Sequence, residues 1–88
     1  MSPDTREFLA AVLDAIDIPA PATFGDREAF ARLLADRVLD AVVALTGALG
    51  EPPDADWGLG WHTDYLRRQL AKNPPTTYRH HGASGGTA

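Results

Sequence analysis

Between residues 3 and 16 the apolar positions Phe8, Leu9, Val12, Leu13 and Ile16 recur at i, i+1, i+4, i+5 and i+8. At about 100° per residue they fall within an arc of about 140°, with Glu7 and Asp14 opposite, which predicts an amphipathic helix over residues 3–16. Ser2, Pro3 and Asp4 supply a capping hydroxyl, a proline at the first helical position and an acid at the positive helix end. The run Asp17-Ile18-Pro19-Ala20-Pro21 stops the helix, because each proline lacks a donor and pushes its predecessor out of the α region.

A second helical pattern opens at Thr23-Phe24-Gly25-Asp26, read as a capping box, and continues over residues 24–48 until Gly50-Glu51-Pro52-Pro53 ends it. Its first half mixes Phe30, Leu33 and Leu34 with Arg32, Asp36 and Arg37, whereas Val38 to Leu49 has only Asp40 and Thr46 as polar side chains. Leu39 and Val43 lie outside the arc of Phe30, Leu34, Val38, Val42 and Leu45. A helix apolar on more than one side needs more than one neighbour, so this is predicted to be the central element, covered by the other helices and by a second subunit. The turn-rich stretch 50–60 leads into a third helix over residues 60–72, closed by Asn73-Pro74-Pro75. Its apolar members Leu59, Trp61, Tyr65, Leu66 and Leu70 enclose His62 and Gln69, which predicts a semi-polar packing face. The pattern therefore gives an all-α fold, a small three-helix bundle with a long central helix, as one domain over residues 1–80. The Gly- and Ser-rich residues 81–88 read as a flexible C-terminal tail.

Composition narrows the function classes. The chain has 88 residues and 44% hydrophobic content, divided into 15 Ala and 24 larger side chains. Since Ala buries little area, the core is expected to come from those 24, which implies marginal stability and favours an oligomer. The net charge of −4 weighs against general electrostatic binding of nucleic acid. With no Cys, thiolate catalysis and Cys-based zinc sites are excluded. No stretch reaches the length of a membrane span, and Met1 to Glu7 lacks a signal-peptide order, so a cytoplasmic protein is expected.

Candidate chemistry is sparse. His62 and Asp64, two apart on a helix, point about 200° from one another and cannot share an ion, so His62 reads as a packed side chain beside Trp61 or Leu66. His80-His81 reads as plain surface. Asp36 and Asp40 share a helix face, yet Arg32 and Arg37 stand at ion-pairing distance from them along the helix, which gives solvated ion pairs. Gly58-Leu59-Gly60 lacks the preceding strand and following Lys of a phosphate cradle. No catalytic, cofactor or metal residues are assigned, and the chain is not read as an enzyme. Trp57, Trp61, Tyr65, Arg67 and Arg68 form the candidate partner-binding group, since aromatics and Arg dominate interfaces, with Arg67 and Arg68 facing solvent.

The stretches Asp4-Thr5-Arg6-Glu7-Phe8-Leu9-Ala10-Ala11-Val12-Leu13 and Gly60-Trp61-His62-Thr63-Asp64-Tyr65-Leu66-Arg67 resemble small uncharacterised helical proteins of GC-rich actinobacteria and their mobile elements. The resemblance implies no activity, cofactor or site residue. The functional expectation is a non-enzymatic protein–protein interaction module or small regulator. It self-associates as a homodimer through Leu39 and Val43 of the second helix, without a cofactor. Two alternatives stand beside it: a nucleic-acid-binding regulator using Arg67, Arg68, Lys72 and Arg79, and an acidic inhibitor of a basic groove.

Overall fold

The computed structural model describes residues 1–51 and 58–80. Three helices account for most of them: α1 (Pro3–Ile16), α2 (Arg27–Gly50) and α3 (Gly58–Lys72), with one 3-10 turn, Phe24–Asp26, ahead of α2. The all-α bundle with a long central helix is as expected from the pattern. The expected tail over 81–88 and Trp57 lie outside the described residues.

The helix ends follow local chemistry. The Ser2 hydroxyl accepts from the Thr5 amide at 3.2 Å, with Pro3 at the first helical position. At the start of α2 the expected capping box does not form. The Thr23 hydroxyl donates to the Asp26 carboxylate at 2.7 Å, and the three residues after Thr23 wind as a 3-10 turn. Asp26 is drawn instead to the C-terminal segment: it accepts from the Arg79 amide and pairs with the Arg79 guanidinium, both at 3.4 Å. That segment is tied down further. The Ala22 amide donates to the Arg79 carbonyl at 2.9 Å, Pro21 bridges His80, and the buried Tyr78 donates to the Pro19 carbonyl at 2.6 Å with its ring edge-on to Phe30.

The core departs from the expectation that large side chains alone would build it. Its buried cluster is Phe8, Ala11 and Ala15 from α1, Ala41 and Ala44 from α2, and Leu66 and Leu70 from α3. Small side chains let α1 and α2 approach α3 closely, and Leu66 and Leu70 supply the bulk between them. Burying the Ala stripes rotates the larger residues outward. Of the predicted α1 arc only Phe8 is buried, while Leu9, Leu13 and Ile16 are exposed. In α2 the buried stripe is Leu33, Arg37, Ala41 and Ala44, and the arc expected to pack inward leaves Val38 and Val42 exposed.

The most polar feature of the interior is Arg37, only 4% exposed. Its Nε and Nη2 donate to the Asn73 carbonyl at 3.0 and 2.8 Å, and its Nη1 donates to the carbonyls of Asp14 at 3.1 Å and Ala15 at 3.4 Å. One guanidinium from the middle helix thus meets the C-terminal ends of α1 and α3, where unpaired carbonyls and the negative ends of both helix dipoles accumulate. The solvated Arg37–Asp40 pair expected from spacing is replaced by this clamp. Arg32 likewise pairs with Glu28 at 2.6 Å and not with Asp36.

Candidate interaction face

Three observations orient the helices around their axes. Arg67 of α3 pairs with Asp14 at 2.5 Å, so the Asp14 flank of α1 faces α3. A Cβ placed on Gly47 would lie 3.0 Å from the His62 ring, so the Gly47 flank of α2 faces α3 as well. Asp40, on that same flank, feels the charge of Lys72.

From Ala11, Asp14 lies about 60° in one sense around α1, whereas Val12, Ile16 and Leu9 lie about 100–160° in the other. From Ala41, Gly47 and Asp40 lie about 100–120° in one sense around α2, and Leu45, Val38, Leu49 and Val42 lie about 40–100° in the other. In a triangle of helices the flanks of α1 and α2 that turn away from α3 border the same outer groove. The apolar residues of both helices therefore form one face, opposite α3. Leu9, Leu13, Ile16, Val38, Val42 and Leu49 are all exposed on or beside it, and Leu39 and Val43 extend it outward at 62% and 52% exposure. With these eight side chains it leaves on the order of 700 Å² uncovered, above the largest patch usual on a lone chain.

The second candidate group is divided by the fold. Trp61 is exposed at 44%, with Tyr65 stacked in parallel on it at 6.0 Å and His62 edge-on at 5.1 Å. Arg68 faces solvent as expected, in line with Trp61, Tyr65 and Lys72 along α3. Arg67 does not stand free, since it is engaged by Asp14 across the α1–α3 contact. His62 is the packed side chain anticipated, 4% exposed, with its Nε2 3.3 Å from Glu51, and Asp64 points away into solvent.

Asp40, which spacing reads as a solvated ion-pair partner of Arg37, is instead half-buried. Oδ2 of Asp40 is buried with no hydrogen-bond partner. Burial raises its pKa above the ordinary 3.8, and the Asp36 charge adds to this against the opposing pull of Arg37 and Lys72. Among the described residues no group of three or more His, Asp or Glu could hold a metal ion, and no helix is long and apolar enough to cross a membrane.

The apolar face had a partial signal in the sequence, in the residues lying outside the α2 arc. Spacing does not extend the face onto α1, because it places the arc of larger residues inward, whereas Ala11 and Ala15 take the interior and leave Leu9, Leu13 and Ile16 exposed. Comparison with protein-family models, with curated proteins and with solved structures gives no match to this chain.

Proposed function

We propose that this protein is a non-enzymatic interaction module that self-associates through the outward side of α2. The single observation that carries the reading is the apolar face shared by α1 and α2, which no element among the described residues covers and which includes Leu39 and Val43. Its uncovered area, roughly 700 Å², is close to the ~800 Å² that one partner contributes to a standard-size interface. Charged side chains are scarce there: from Val38 to Gly50 the only one is Asp40, which faces α3. Depletion of charge at the centre of a patch is the compositional mark of an interface.

The distribution of basic residues favours this reading over a nucleic-acid-binding one. Arg67 and Arg79 are engaged by Asp14 and Asp26, and Arg68 and Lys72 alone would neutralise few phosphates. Sedimentation velocity on the full chain tests the proposal. Dimers are expected at tens of micromolar, with dissociation on dilution. A monomer throughout that range overturns self-association.

A further inference from the structure

The exposed flank of α2 has a finer pattern than general apolarity. Ala31, Ala35, Val38, Val42, Leu45 and Leu49 follow one another at spacings of 4, 3, 4, 3 and 4. This is the repeat that keeps a stripe facing a partner helix in a left-handed packing, and all six fall within about 80° of one another around the axis. Leu45 is partly buried against the core, and the other five are exposed. On α1 the residues Thr5, Leu9, Val12 and Ile16 repeat the 4, 3, 4 spacing on the flank that borders the same groove. Arg37 meets α1 at its end, Asp14 and Ala15, while Ala41 and Ala44 further along α2 pack in one cluster with Phe8 and Ala11, so α1 and α2 run antiparallel. Two antiparallel helices, each with such a stripe turned to the same side, make half of a four-helix bundle.

We infer that the missing half is a second copy of this chain, docked with its α2 antiparallel to the first, so that α1 and α2 of both copies form a four-helix bundle with each α3 outside. The inference rests on the self-association proposed above and adds its geometry. Side-chain size decides the direction. Along the stripe the residues grow from Ala through Val to Leu. A parallel pair would set Ala31 against Ala31 and Leu49 against Leu49, gaping at one end and crowded at the other. An antiparallel pair centred near Asp40 sets Ala31 against Leu49, Ala35 against Leu45 and Val38 against Val42, which gives every layer a similar volume. It also makes every neighbouring pair of helices antiparallel, the arrangement that opposes their dipoles favourably. Leu39 then flanks the seam, and Val43, about 120° from its centre, lies at the outer edge of the face beyond the seam's own layers.

The chain contains no Cys, so single substitutions report without background. Ala31→Cys and Leu49→Cys are both exposed and away from the buried cluster. The two positions are 18 residues apart, about 27 Å along the helix. Under mild oxidation a mixture of the two variants is expected to yield the mixed disulfide in preference to either self-linked product. A Leu49 variant carrying a size tag identifies the product on a denaturing gel. Ala31→Cys linking to itself overturns the antiparallel direction, while leaving self-association intact. A dimer by sedimentation that gives neither product overturns the seam. A monomer by sedimentation overturns the parent reading too. As a second measurement, Val42→Asp should weaken the dimer at least roughly a hundredfold, because it buries two unpaired carboxylates near the axis. Unchanged association in that variant overturns the seam.

Discussion

The Arg37 guanidinium grips the Asn73 carbonyl with two nitrogens, at 3.0 and 2.8 Å, across 36 positions of sequence. Its third nitrogen reaches the end of α1 through Asp14 and Ala15. The clamp gathers three helices at one point, and a Met side chain would fill only the space of the Arg stem and satisfy none of the carbonyls. Arg37→Met is therefore expected to cost about 3 kcal/mol, within the range for breaking a buried charged hydrogen-bond set. Arg37→Lys should recover only part of this, since an ammonium cannot reproduce the fork. Urea denaturation of the three proteins measures both differences.

Gly47 is held to glycine by its neighbour across the α2–α3 contact. A methyl group there would meet His62 at 3.0 Å from Cε1 and 3.1 Å from Nδ1. Gly to Ala in a helix interior ordinarily stabilises by about 1 kcal/mol. Here the buried imidazole stands between Trp61 and Glu51 and must be displaced. Gly47→Ala is expected to destabilise by about 1 kcal/mol net, as overpacking does. In a His62→Ala background the same substitution should become stabilising, and a double-mutant cycle reads the reversal.

Asp40 gives the fold a pH dependence of known sign. Its folded pKa is raised above the ordinary 3.8 by burial, so the ionised form is disfavoured in the native state. The stability this group contributes is full below the unfolded value and is lost as pH rises through the folded one. Asp40→Asn should accordingly raise Tm at pH 7, with the gain shrinking to nothing below about pH 4. Thermal melts of both proteins across that interval check the prediction. An equal gain at both ends would assign the effect to packing instead.

Tyr78 ties the C-terminal segment to the loop between α1 and α2 through its hydroxyl on the Pro19 carbonyl at 2.6 Å. Tyr78→Phe keeps the ring contact with Phe30 and removes the bond, at an expected cost of about 1 kcal/mol. Tyr78→Ala also empties the site and should cost about 3 kcal/mol or more. Amide exchange at Ala22, whose N–H donates to the Arg79 carbonyl, should speed up in both.

The sequence by itself determined the three helices, their stops and their order. These depend on interactions within a few residues: the Ser2 cap, the Pro19 and Pro21 break, and the periodicity along α1 and α2. It also marked His62 as packed and Leu39 and Val43 as surplus to a single core. Only the tertiary structure decided which side of each helix faces inward. Periodicity locates an apolar arc, but α1 and α2 each carry two candidates, a stripe containing Ala and a stripe of larger residues. The choice belongs to the triple contact, where close approach over Ala11, Ala15, Ala41 and Ala44 lets Arg37 reach the carbonyls at the ends of α1 and α3. No residue signals that outcome in isolation, because the acceptors are backbone groups 22 or more positions away. The large side chains left outside follow from the same choice, and they form the α1–α2 face proposed for the second copy.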